Sequence, residues 1–155
     1  MKTGTLAGWT LLLIAVVLQG SLAGHLRLLG FQPDLILTAA LCLGLLLGPE
    51  KGGLLGFAGG ILEGVLVGSN PGSFLASRCA AGLLAGAASA RLFRENRLVP
   101  VTLIFAGTAL AELVFFVMSP SASFVPYLRL ALGEGIWNSI VALAAYPLAA
   151  RWVGR

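Results

Sequence analysis

Charge is scarce in this chain. Only 10% of its 155 residues are Asp, Glu, Lys or Arg, where a soluble domain carries roughly 25%, and the shortage excludes an ordinary water-facing surface. Histidine is nearly absent. His25 stands alone beside Arg27, so a histidine-based metal site or a catalytic triad has nothing to build on. The two cysteines, Cys42 and Cys79, both fall in apolar runs, where a thiol acts as a small apolar side chain; they give neither a disulfide framework nor a ligand cluster. No nucleophile has a base at useful spacing, and no phosphate loop of the strand-turn-helix kind occurs. Enzymatic activity is not expected, no cofactor or metal is implied, and no linker or soluble domain is left over.

What is present is apolar: 58% of the residues are hydrophobic. Residues 1–155 read as one all-α integral membrane domain of six transmembrane segments, at 6–24, 31–48, 52–68, 74–93, 98–118 and 128–150. Most approach the ~20 residues that span about 30 Å of hydrocarbon, and the second and third are short. Breakers separate them, among them Gln32-Pro33-Asp34, Gly48-Pro49-Glu50-Lys51, Asn70-Pro71-Gly72-Ser73, Arg94-Glu95-Asn96-Arg97 and Ser119-Pro120-Ser121. Numbering ends and loops alternately, one side collects Lys2, Lys51, Arg91, Arg94, Arg97, Arg151 and Arg155, and the other Arg27 and Arg129. Basic residues beside short loops stay cytoplasmic, which places both termini inside. The net charge of +4 then follows from topology and attraction to anionic lipid, not from nucleic acid. Lys2, the run 11–18 and the small residues Ser21, Ala23 and Gly24 also resemble a signal peptide cut after Ala23. An uncut first helix is the expectation; cleavage would leave five.

Glycine falls on every fourth position from Gly44 to Gly72, through Gly48, Gly52, Gly56, Gly60, Gly64 and Gly68. In a water-soluble helix each would cost about 1 kcal/mol against alanine. In lipid, helices gain little by burying leucine and associate where small residues let backbones touch. Gly52, Gly56, Gly60, Gly64 and Gly68 are therefore expected to form a packing surface, for neighbouring helices of this chain or for a partner; self-association stays open. Four-residue steps advance about 40° each on a 3.6-residue helix. The row thus wraps nearly halfway round, and the third helix is expected at the centre, touched on several sides.

Glu63, Arg78, Glu112 and Glu134 lie inside the segments at one level, each four to six residues from the outer end. Unpaired, four such charges would cost roughly 10 to 14 kcal/mol on insertion scales, against a total stability of about 5 to 15. They have to face the interior, pair or take up protons. Glu63 and Arg78 flank the 70–73 turn nearly symmetrically, and Glu112 and Glu134 flank Ser123, so each hairpin delivers a pair at one height. Three glutamates share one buried arginine, with Arg129 a second candidate partner, so at least one glutamate is expected to carry a proton. Asn138, four residues beyond Glu134 and on the same helix face, is placed to bond across to another helix. The cluster either fixes helix register or walls a cavity for a polar ligand, a lipid headgroup or a partner's side chain.

Several short motifs together resemble the MreD family, small integral membrane proteins of the bacterial rod-shape system. They are Gln19, Pro33-Asp34-Leu35, Gly56-Phe57 with Gly60-Ile61-Leu62, Gly68-Ser69 and Gly72, Ala111-Glu112-Leu113 with Phe115 and Phe116, and Trp137-Asn138 followed by Pro147. One position departs: the family's usual aspartate, eight residues after the glycine of the Gly-Phe pair, falls on Gly64, with Glu63 one place earlier. The resemblance implies a non-enzymatic scaffold of the cell-wall elongation machinery in the bacterial cytoplasmic membrane. Its implied partners are an MreC-like single-span protein, a RodA-type glycan polymerase and a class B penicillin-binding protein. Such proteins are also similar in architecture to the six-helix S components of energy-coupling-factor vitamin transporters, and that second reading would use the outer-level cluster as a ligand pocket. A proton-coupled carrier is a third, weakened by the lack of an evident repeat.

Overall fold

With no water available to an apolar segment, its backbone groups have to bond within the segment, and helices do this. The computed structural model describes residues 2–22, 24–27, 30–89, 98–120 and 123–154. Those residues form six α-helices and no strand: α1 (Lys2–Leu22), α2 (Leu35–Leu47), α3 (Pro49–Val67), α4 (Pro71–Ser89), α5 (Leu98–Met118) and α6 (Phe124–Val153). Arg91, Arg94, Arg97 and Arg155 of the basic side, Ala23 and Ser121 lie outside the described residues.

Proline sets two of the starts. Pro49 and Pro71 open α3 and α4, where the missing N–H costs nothing because first-turn donors have no partner within the helix. Pro33 does the opposite to α2 and delays it. The apolar run begins at Phe31, but the helix starts only after Asp34, which has extended backbone and caps it through a hydrogen bond from Leu37 N to Asp34 Oδ1 (2.8 Å).

Three helices are long and apolar enough to cross a membrane, Gly4–Leu22, Val99–Met118 and Phe124–Val153, which marks the chain as a membrane protein. α2 differs from the expectation of a full span. Its 13 residues extend about 20 Å at 1.5 Å each, short of the ~30 Å of hydrocarbon. α3 and α4 have 19 residues each, a sufficient length, but glycine, serine and charge dilute their apolar character.

The packing centre also differs from the expectation. Every other helix touches α2, and the other five close a ring around it in the order α1, α3, α4, α5, α6 and back to α1. α2 takes this position because it is apolar on all sides, with Ile36, Leu37, Ala40, Leu41, Leu43, Leu45 and Leu46 all buried. α3 sits in the ring because its faces differ in size. Leu54, Phe57, Ile61 and Val65 point outward, Val65 being 73% exposed, while its glycines face inward.

Four of those glycines meet α4 in register. A β-carbon on Gly52 would lie 2.4 Å from the Gly82 carbonyl oxygen, on Gly56 2.1 Å from that of Arg78, on Gly60 2.6 Å from Leu75 Cα, and on Gly64 2.7 Å from Pro71 Cα. Four-residue steps up α3 thus match four-residue steps down α4, the arrangement in which the i±4 ridges of two helices interdigitate. The row drifts round its helix, and a neighbour inclined along it follows the drift, so α4 meets all four positions; α2 joins it at Gly52, where Gly44 Cα lies 2.6 Å from the β-carbon position. The other glycines of the run do different work. Gly44 belongs to α2 and meets the Gly82 carbonyl, Gly48 turns the chain between α2 and α3 at φ +89°, and Gly68 ends α3 as a left-handed cap at φ +70° with no atom near its side-chain position. Gly68 therefore takes no part in the α3–α4 contact.

Candidate functional site: a buried polar network at the start of α2

The extended stretch 31–34 leaves the first N–H groups of α2 without helical partners inside the ring, and side chains from both flanks supply them. Asn138 Oδ1 of α6 accepts from Asp34 N (2.8 Å), and Gln19 Oε1 of α1 accepts from Leu35 N (2.7 Å). Non-helical backbone is tolerated in a membrane protein where it is buried in protein or lines a cavity. Both conditions hold here, because Pro33 and Asp34 are buried and line a cavity of about 290 Å³.

Arg78 of α4, only 2% exposed, organises that cavity. Its Nε donates to Glu63 Oε2 (2.7 Å) and its Nη2 to Glu63 Oε1 (3.0 Å), a bidentate pair with α3. Nη2 also donates to Asp34 at the head of α2. Nη1 donates to Ser77 Oγ (2.9 Å) and, more loosely, to Glu112 Oε1 of α5 (3.4 Å). The guanidinium lies 4.8 Å from the centre of the Phe74 ring. Glu112 is held from the far side by the Tyr127 hydroxyl of α6, 2.6 Å from Glu112 Oε2 and 2.8 Å from the Glu112 carbonyl oxygen. Asn138 Nδ2 completes the set by donating to Thr108 Oγ1 (3.2 Å). Every helix contributes at least one member.

The intramembrane residues expected to share a level do line one cavity: Glu63, Arg78, Glu112 and Glu134 all face it. Two details differ. Among the described residues Glu134 Oε1 has no hydrogen-bond partner, and that atom is sealed from solvent. Arg129 is exposed and forms no ion pair among the described residues. It points away because it sits near the N-terminal end of α6, where a long cationic side chain gains more from solvent or headgroups than from the interior.

Level counting alone does not select Asp34 and Tyr127 as partners, although each leaves a signal in the sequence. A proline and an aspartate directly before an apolar run mark a helix start, and an acid there sits at the same depth as the other four. Glu63 and Arg78 are 15 residues apart across their hairpin, and the same separation from Glu112 leads to Tyr127, not to Glu134.

Asn138 is fully buried, and its truncation isolates the Asp34 N–H. Asn138→Ala is expected to cost about 1 to 3 kcal/mol, the usual penalty for a buried donor left without a partner. Unfolding by SDS titration of the purified protein measures this, and an unchanged midpoint would remove Asn138 from the network.

Among the described residues no three His, Cys, Asp or Glu side chains are grouped to hold a metal ion. Comparison with protein-family models, with curated proteins and with solved structures finds no match.

Proposed function

We propose that this protein is a non-enzymatic, multi-pass scaffold of the bacterial cytoplasmic membrane, of the MreD kind. On this reading it holds an MreC-like single-span protein and helps position a RodA-type glycan polymerase and a class B penicillin-binding protein for cell-wall elongation. One observation carries the proposal. The polar residues on which the resemblance rests, Gln19, Asp34, Glu112 and Asn138, are dispersed over the sequence, yet they meet in a single buried network. That network ties helices together and presents no nucleophile with a base, as a protein acting through its shape requires. In this reading all six helices cross the membrane with both chain ends cytoplasmic, and α2 completes its crossing with the extended stretch 31–34.

The docking face lies outside the glycine row. Gly52, Gly56, Gly60 and Gly64 are occupied by α4, so a partner helix has to engage outward side chains of the ring.

The cavity supports a second reading, the S component of an energy-coupling-factor vitamin transporter, since small-molecule sites are concave with a few convergent polar groups. Affinity purification in mild detergent separates the two. Recovery of a single-span, coiled-coil-bearing protein is the expected result; recovery of a coupling transmembrane subunit together with a tightly held vitamin would replace the scaffold by the transporter component.

A further inference from the structure

Among the charged side chains that line the cavity at the head of α2, spare capacity is of one sign only; Gln19 and Gln32 add neutral amide donors. All five N–H donors of Arg78 are committed to Asp34, Glu63, Glu112 and Ser77, so an incoming carboxylate or phosphate would find no free donor on it. Acceptors are in surplus: four carboxylates face one guanidinium, and Glu134 Oε1 is buried with nothing bonded to it. A buried acceptor of this kind is costly until a donor reaches it. The acids are not grouped for a metal ion among the described residues. The volume of about 290 Å³ exceeds that of one water, whose share of the liquid is about 30 Å³, and admits a group of several heavy atoms. Phe74 and Phe115, with ring centres 4.8 Å apart, line the same space, and aromatic faces attract cations.

We propose that this cavity binds a primary ammonium group, with Glu134 as its counter-ion and hydrogen-bond acceptor. Two sources share that chemistry, a free small amine and the ethanolamine headgroup of a phospholipid. The site is independent of which protein the outer ring holds, so it goes beyond the scaffold reading.

The test uses the whole protein in lipid nanodiscs, with ethanolamine, tetramethylammonium and acetate as probes and thermal unfolding and calorimetry as readouts. In discs of phosphatidylcholine alone, ethanolamine is expected to raise the unfolding midpoint. Tetramethylammonium, equally charged but without an N–H, is expected to bind at least tenfold more weakly, and acetate to have no effect. Glu134→Gln keeps the shape, removes the charge and is expected to weaken ethanolamine at least tenfold. The comparison between the two cations needs no variant and stands if Glu134→Gln fails to fold. Discs containing phosphatidylethanolamine identify the source. If the headgroup is the ligand, they stabilise the protein by themselves, added ethanolamine does nothing further, and native mass spectrometry retains one such lipid. If a free amine is the ligand, ethanolamine shifts the midpoint equally in both discs. No response to ethanolamine or to phosphatidylethanolamine, equal binding of the two cations, or full affinity in a folded Glu134→Gln protein would each overturn the site.

Discussion

Arg78→Ala is expected to be the most damaging single substitution in this protein. Arg78 forms ion pairs with Asp34, Glu63 and Glu112 from within a buried site, and removing one member of a buried pair typically costs about 3 to 5 kcal/mol because the other charge is stranded. Here three carboxylates lose their partner at once, against a total stability of about 5 to 15 kcal/mol. The variant is expected to be lost to aggregation on extraction or to unfold at much lower SDS. Combining it with Glu63→Gln removes the bidentate acid and is expected to recover part of the loss, but not all of it, because Asp34 and Glu112 stay uncompensated. Arg78→Lys should fall between wild type and alanine, since an ammonium has three donors where the guanidinium uses five. Equal stability of the single and double variants would remove the Glu63 pair, and a wild-type midpoint for Arg78→Ala would remove the network.

Gly56→Ala is expected to produce the second large effect. The added β-carbon would lie 2.1 Å from the Arg78 carbonyl oxygen and 2.8 Å from its carbonyl carbon. Both are backbone atoms of a packed helix, so α3 and α4 have to separate. Overpacking of this kind costs about 1 to 3 kcal/mol, and Gly56→Leu should exceed that range. Gly60→Leu belongs to the same class, with Phe74 and Leu75 backbone atoms at 2.6 Å from the β-carbon position. Gly72, on the same four-residue spacing, is the control. Nothing lies within 4 Å of its β-carbon position, and Gly72→Ala is expected to leave the unfolding midpoint unchanged. Partner capture by Gly56→Leu should fall only as far as folding falls, because that surface is internal. Full stability of Gly56→Ala would contradict the close α3–α4 contact.

The α3–α4 hairpin is legible in the residue order alone. Its turn at 68–71 is short, and Asn70 adopts φ +48°, a left-handed conformation that asparagine tolerates. Counting outward from such a turn pairs Glu63 with Arg78, because antiparallel neighbours joined by a tight connection stay level. The Asp34 contact with Arg78 spans 44 positions, and no count along the chain reaches it. It depends on where α2 sits among the other helices. The same limit explains why glycine spacing points to the wrong central helix: it identifies a helix built for close contact, but a close contact with one neighbour and a central position are different things.

Composition and periodicity by themselves determined that this chain is apolar, helical and divided at its prolines, and that its interior charges have to meet. These follow from local rules of backbone satisfaction and from the cost of a lone charge in an apolar medium. Only the tertiary structure decided that α2 is the axle, that α4 fills the glycine row, and that among the acids lining the cavity Glu134 is left without a hydrogen bond. Those outcomes depend on how six rods share space, and the fit of one face against another is set by all of them together.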